Sequence, residues 1–361
     1  MLIQRLRVAS LRRFDEVELE PASGFNLIHG DNGSGKTSLL EAMHLMAHGR
    51  SFRGRVRDGL IRQGAPALEV FVEWQAGGVH VHRAGLRHAG PRWEARLDGQ
   101  PVGHLGELCR ALAVVTFEPG SHALVDGGSE TRRRYLDWGL FHVEPGFLQE
   151  WRRYSRALKQ RNSLLRSGRA PTPQLDAWEH ELAQAGEVLH GLRAAYVAQL
   201  APAFQTTLAR LLPAAGEATL SLQPGWRRQE LPLADALLLA RDRDLAQGHT
   251  SVGPHRAGMR LELAGLPADS LSRGQAKLAA LGLLLAQATH LAGVEGRWPV
   301  LQLDDLASEL DRRHQRLLLE WLAGTGAQVF VTGTELPAAA SELGIPTRVF
   351  HVEHGVVRNL T

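Results

Sequence analysis

Within this 361-residue chain, the segment Gly30-Asp31-Asn32-Gly33-Ser34-Gly35-Lys36-Thr37 has residue types and spacing suited to one chemistry, the binding of a nucleotide phosphate. Glycines let successive backbone N–H groups wrap phosphate oxygens, the Lys36 ammonium reaches the β and γ phosphates, and the Thr37 hydroxyl serves a magnesium ion. The chain has 41 basic residues, but its lysines are Lys36, Lys159 and Lys277 alone. One of them stands where arginine's planar fork cannot replace a compact ammonium, which argues against coincidence. Such a loop needs an acidic partner. Pro299-Val300-Leu301-Gln302-Leu303-Asp304-Asp305 is the candidate: a strand ending with Asp304 on the metal and Asp305 placed to orient or deprotonate the attacking water. Gln302 interrupts its apolar run. Upstream, Leu271-Ser272-Arg273-Gly274-Gln275 leads into Leu278, Leu281, Leu284 and Leu285 at helical spacing, with Ser272 as the N-cap.

The elements that must hold these groups are visible as patterns. Phe25 to Ile28 is a compact apolar run before the glycine loop, and Leu39, Leu40, Met43, Met46 and Ala47 follow it at helical spacing. Leu2 to Val8, Val17 to Leu19 and Leu68 to Trp74 alternate with period two, as half-buried strands do. Asp98-Gly99 between Trp93–Leu97 and Val102 reads as a tight hairpin turn. Short apolar runs return at Val300 to Leu303, Val329 to Val331 and Val349 to Val352. Between these strand-rich ends the texture is helical. Phe147, Trp151, Tyr154, Leu158 and Leu165 mark one face, and Leu175, Trp178, Leu182, Ala185, Leu189, Leu192 and Tyr196 another. The stretch Ser167 to Pro173, with Gly168, Pro171 and Pro173, predicts a break and an antiparallel helical hairpin, and Pro202 and Pro213 are expected to interrupt the chain beyond the hairpin. The organisation expected is an α/β head built from residues 1–119 together with 249–361, and an inserted helical domain over 120–248.

Composition narrows the class. A chain 44% hydrophobic and 22% charged is globular rather than fibrous or disordered. The single cysteine, Cys109, excludes an internal disulfide or a thiolate zinc site, and His80-Val81-His82 reads as alternation along a strand rather than as a metal site. Leu278 to Ala288, the longest apolar run, is short of the roughly 20 residues that span a bilayer, so no membrane partner and a cytoplasmic location are expected. The net charge is only +3. Arg132-Arg133-Arg134, starting a helix, and Arg152, Arg153 and Arg156 on the next make either a basic face suited to nucleic-acid phosphates rather than bases or, equally, a solvated helix face.

The pattern L-S-x-G-Q at 271–275 resembles the signature motif of ABC-type ATPases, and Ser308-Glu309-Leu310-Asp311 resembles their D-loop. Within that class the chain resembles the RecF family over nearly its whole length. The residues that carry the likeness are Gly30 to Ala42, Arg132 to Trp138, Lys159-Gln160-Arg161-Asn162, Gly253-Pro254-His255-Arg256, Leu271 to Gln275 and Asp304 to Asp311. The resemblance implies an ABC-type P-loop ATPase head of the Rad50/SMC kind with an inserted, mostly helical domain. It implies ATP and Mg2+ at Gly30 to Thr37, with Lys36, Asp304 and Asp305 catalytic and Thr37 and Asp304 on the metal. It implies a homodimer formed on ATP, in which Ser272, Arg273, Gly274 and Gln275 contact the nucleotide of the other copy, with Ser308 and Asp311 in the D-loop. Also implied is slow, DNA-stimulated hydrolysis, with binding of single- and double-stranded DNA at gaps and junctions. The function implied is work with RecO and RecR in loading recombinase during recombinational repair, replication-fork maintenance and the SOS response. The sequence departs from the family at Phe117-Glu118-Pro119, where the order Pro-Glu is common, and at Ala257-Gly258, where an acidic residue is. Two other readings share the motifs. The ATP-binding subunit of a membrane transporter predicts a short helical subdomain and a switch histidine, and none follows Val331-Thr332-Gly333-Thr334. A non-hydrolysing, ATP-gated DNA clamp is the second.

Overall fold

The computed structural model describes residues 1–54, 59–78, 80–90, 92–167 and 172–361. The chain divides into two compact units, Met1–Ser121 with Leu281–Thr361, and His122–Ala280.

The first unit holds two six-stranded sheets. In one, Phe25–His29 lies between two parallel neighbours, Val329–Gly333 and Thr347–Glu353, and the order continues through Val300–Leu303 to Val114–Phe117. These strands are apolar nearly throughout because a parallel sheet is covered on both faces. The other is an antiparallel meander in which Leu2–Ala9 pairs with Glu16–Leu19 and Leu68–Gln75, then Val81–Ala89 and Arg92–Leu97 follow. Asp98 and Gly99 both take positive φ, 49° and 82°, as the tight turn requires. The helix Lys36–His48 is buried along almost its whole length. Its Leu39, Leu40, Met43 and Met46 join Ile3, Leu6, Val70 and Trp74 of the meander and Val114, Val300 and Phe330 of the parallel sheet in one apolar cluster. That cluster fixes where the phosphate loop begins.

In the second unit the helices Phe147–Ser167 and Thr172–Leu211 run antiparallel: Arg161 meets Glu179 near the connection, and Tyr154 packs against Gly186 farther along. Of the expected break, Gly168 and Pro171 lie outside the described residues. Pro202 does not interrupt the helix but sits within it. The missing N–H costs a backbone bond, and burial of Leu200, Phe204 and Leu208 at 0–1% exposure on the same helix offsets it. Pro213 stands in a short 3-10 turn after the helix has ended. A three-stranded sheet completes the unit, with Ala218–Gln223 paired to Gly258–Leu263 and that strand to Leu266–Pro267. This pairing carries the second unit past 248, the limit read from the sequence, and the unit runs on to Ala280.

The helix Arg273–Glu295 extends the apolar run read from the sequence. Its 23 residues are long and apolar enough to cross a membrane by composition, which the run Leu278 to Ala288 alone did not suggest. Burial decides otherwise: 61% of its apolar window is enclosed by the protein itself, as in the core helix of a globular fold.

Candidate functional site

The glycine loop leaves the strand Phe25–His29 at Gly30 and enters the helix at Lys36. Two of its glycines are dictated by contact. A Cβ on Gly30, at φ 152°, would lie 2.1 Å from the Val352 carbonyl oxygen, and one on Gly35, at φ 125°, would lie 2.7 Å from the Phe14 ring. The first helical turn is braced from behind. Glu41, fully buried, accepts two hydrogen bonds from the Arg12 guanidinium at 2.8 and 3.0 Å and a third from Ser51.

Lys36 is only 8% exposed, and its ammonium donates to the carbonyls of Gly30 at 2.6 Å and Asp31 at 2.9 Å. Burial lowers its pKa, opposed by Asp305, Asp304 and Asp31. The acidic pair is brought to the same place. Thr37 Oγ1 donates to Asp304 Oδ1 at 3.0 Å, and Thr332 Oγ1 to the same oxygen at 2.6 Å. Burial raises the Asp304 pKa, against those two hydrogen bonds. Asp305 takes a left-handed backbone conformation, φ 52°, and its N–H donates to Thr332 Oγ1 at 2.9 Å. A buried cation and a buried carboxylate each lack a full counter-charge, which is how a site poised for an anion and a metal looks. Ser34 Oγ is buried with no hydrogen-bond partner, an unmatched group in the loop itself. The residues present therefore fit a phosphate, with Ser34, Lys36 and the loop N–H groups to hold it, and a divalent ion on Thr37 and Asp304.

Thr332 is a member of this centre that sequence reasoning missed. Its signal is a polar residue closing the apolar strand Val329–Gly333, a position where only the lack of a histidine had drawn notice. Gln302 belongs to the same class. Fully buried, it accepts from Thr116 Oγ1 at 2.8 Å and donates to the Leu40 carbonyl at 3.2 Å, tying the acidic strand to the phosphate-loop helix.

The other expected residues fall elsewhere. Ser272 to Gln275 belong to the second unit and are exposed. Ser272 caps the helix reciprocally with Gln275: the Ser272 N–H donates to Gln275 Oε1 at 2.9 Å and the Gln275 N–H to Ser272 Oγ at 3.3 Å. Ser308 and Asp311 are exposed in the first unit, and Asp311 is the N-cap of Arg312–Ala323, accepting from the His314 N–H at 2.9 Å. In the arginine triplet, Arg132 donates to the carbonyls of Val125 and Gly127, and Arg133 to Ser129 Oγ and the Ala257 carbonyl. Arg134 pairs with Glu130. Arg132 and Arg133 are occupied in bracing their own unit, whereas Arg134 is exposed, and further open basic groups lie on the next helix, where Arg152, Arg156, Lys159 and Arg166 form an exposed stripe at helical spacing.

Residues 2–357 match the family described as RecF/RecN/SMC N terminal domain. The "DNA replication and repair protein RecF" of Stenotrophomonas maltophilia (strain R551-3) is 61% identical over 99% of this chain and 99% of its own, and that of Thioalkalivibrio sulfidiphilus (strain HL-EbGR7) is 41% identical over 99% of each. A solved structure of the recombination mediator protein RecF-ATP in the RecFOR pathway has a TM-score of 0.89 at 26% identity, covering 100% of this chain and 98% of that one. The Smc head domain of Pyrococcus furiosus matches with a TM-score of 0.60 at 14% identity over 99% and 96%, a likeness of fold. The head is thus of the Rad50/SMC kind expected, and the transporter reading is set aside by relatives that share the whole length of the chain. Because the likeness covers 99% of the chain, and with it the phosphate loop, the helical unit and the acidic strand alike, the chain belongs to the RecF family of DNA replication and repair proteins.

Proposed function

We propose that this chain binds ATP and Mg2+ on Gly30 to Thr37 and works as an ATP-gated DNA-binding factor of recombinational repair. The observation that carries the reading is the convergence of Thr37 and Thr332 on one oxygen of Asp304 beside the desolvated Lys36. Gly30, Asp31, Asn32, Gly33, Ser34 and Gly35 supply the phosphate cradle, and Lys36 gives up its two carbonyl partners for phosphate oxygens. Asp304, oriented by Thr332, would hold the ion with Thr37, and that ion supplies charge neutralisation of the β and γ phosphates. Asp305, its backbone N–H held by Thr332, would orient or deprotonate the attacking water of a slow ATPase.

Ser272, Arg273, Gly274 and Gln275 are proposed to contact the γ-phosphate held by a second copy, with Ser308 and Asp311 lining that junction. Their exposure in the single chain supports this, since a helix N-terminus open to solvent is ready to receive an anion. Single- or double-stranded DNA at gaps and junctions would be met through phosphates by Arg134, Arg152, Arg156, Lys159 and Arg166, and RecO and RecR are the partners the RecFOR relatives suggest. The place of work is the cytoplasm.

Light-scattering mass with and without ATP and Mg2+ tests the core of this reading. The mass doubles with nucleotide in the wild type and stays single in Lys36→Met. A wild type that binds ATP without doubling defeats the shared site.

A further inference from the structure

The antiparallel meander of the first unit carries a side-chain cluster that the ATP chemistry does not use. His80 and His82 approach the Asp98 carboxylate of the Asp98-Gly99 turn so that one donor atom from each lies within 4.8 Å of the others. His82 Nδ1 is already 2.9 Å from Asp98 Oδ2. The rings of His80 and His82 stand edge to face with centroids 4.6 Å apart. Neither histidine is adjacent to Asp98 in sequence. The pairing of Val81–Ala89 with Arg92–Leu97 brings them together, which is why His80-Val81-His82 alone reads as plain strand alternation.

Two of the three ligands are held in advance. Asp98 is fixed by its backbone, its N–H donating to the Arg83 carbonyl at 2.7 Å, and its Oδ1 accepts the Arg83 N–H at 2.8 Å. Only Oδ2 faces the histidines. The His82 ring stacks on buried Trp74, centroids 5.3 Å apart, which limits its rotation. His80 is the exposed histidine of the two, its donor atom within 4.8 Å of those of His82 and Asp98. Bonds of about 2.1 Å place neighbouring donors of a tetrahedral shell about 3.4 Å apart, so the cluster is within a small adjustment of that geometry.

We propose that His80, His82 and Asp98 form a binding site for a divalent transition-metal ion. Two imidazoles and one carboxylate select zinc, copper or nickel over magnesium or calcium, which prefer all-oxygen shells. The carboxylate oxygen bound to the Arg83 N–H is the outer contact that such sites use to orient a ligand. Three protein donors leave at least one position open to water or to a donor from another molecule.

The test is titration of the full-length protein, free of nucleotide and magnesium, with zinc chloride against a chromophoric chelator, and with Co2+ followed by its visible absorption. Wild type should take up a single ion saturably, show the d–d bands of imidazole-bound Co2+, and gain thermal stability with zinc. His80→Ala should weaken that uptake about tenfold or more, and His80→Ala/Asp98→Asn should abolish it, the asparagine keeping the acceptor for the Arg83 N–H. Undiminished uptake by folded variants, placing the ion on other histidines, overturns the proposal. So does a wild type without saturable uptake and without a Co2+ spectrum, a result that depends on no variant.

Discussion

Arg161 in the second unit and Lys36 in the first are both cations taken out of water, the first at 0% and the second at 8% exposure, but their surroundings differ. Arg161 donates to Glu179 through two nitrogens, to Asp244 at 2.8 Å and to Thr250 at 2.9 Å. Thr250 is held in turn by Asn162, which accepts from its N–H and its hydroxyl. Nearby, Arg193 grips Asp137 through two nitrogens and the Pro254 carbonyl, and His255 bonds Tyr154 at 2.6 Å and the Thr250 carbonyl at 3.0 Å. Each charge meets its opposite. Among the described residues, the side-chain hydrogen bonds of Lys36 go to carbonyls alone, those of Asp304 to hydroxyls alone, and Ser34 Oγ makes none. A closed polar network holds a fold together, whereas an open one waits for a ligand, and the difference separates family-specific residues that build from those that bind.

Single substitutions should split the two regions cleanly. Arg161→Ala leaves the buried Asp244 without a cation and Glu179 with Arg241 alone, and should destabilise the second unit by about 3–5 kcal/mol, read by urea unfolding. Lys36→Met removes a desolvated charge whose hydrogen-bond partners are neutral carbonyls and should leave unfolding nearly unchanged while ATP-dependent doubling of mass disappears. Equal losses of stability in the two variants would erase the distinction.

Acid should act on the closed network through His255. Burial lowers its pKa from 6.5 to about 4, with the Thr250 carbonyl opposing. The folded ring stays neutral while the unfolded one takes a proton, so its contribution is full above pH 6.5 and is lost as pH falls toward 4. The shift amounts to about 3 kcal/mol. His48 on the phosphate-loop helix, also lowered to about 4 by burial, adds the same sign in the first unit. His255→Gln should therefore make the decline in unfolding free energy between pH 6.5 and 4 shallower without removing it. An unaltered slope would mean that the ring does not titrate with folding.

Much of the open site was legible in the sequence. The glycine loop, Lys36, Thr37 and the acidic pair stand in fixed order, and the apolar runs at 25–28 and 300–303 announced the strands that carry them. The closed network was not legible, because the partners of Arg161 lie 18 to 89 residues away along the chain and only packing brings Glu179 and Thr250 to it. The strand Ala218–Gln223 was missed because its residues past Ala218 alternate between exposed and half-buried, with no apolar run to mark it. Pro202 misled because propensity says nothing of the packing that holds a 40-residue helix together. Polar residues inside central strands were the overlooked signal, Gln302 and Thr332 both being fully committed to the site.

Thr332→Val tests the second of these. It leaves the Asp305 N–H without an acceptor and removes one of the two hydroxyls on Asp304, at about 1–3 kcal/mol of stability. The hydroxyl favours the ionised carboxylate, so its loss should raise the Asp304 pKa further above its ordinary value. If ATP turnover needs Asp304 ionised, the rising limb of its pH profile should move to higher pH. A profile that falls in height without moving assigns Thr332 to positioning alone.

The smallest effect on stability is the sharpest test of openness. Ser34→Ala removes a buried hydroxyl that has no partner, and a group that makes no hydrogen bond has none to lose, so unfolding should change by no more than about 0.5 kcal/mol. If the hydroxyl is kept for a phosphate oxygen, the same variant should bind ATP several-fold more weakly, about 1 kcal/mol being the usual worth of one such bond. Calorimetric titration of ATP beside urea unfolding measures both on one sample. A loss of stability with no loss of affinity would show that Ser34 belongs to the fold, and the phosphate loop would then be as closed as the network around Arg161.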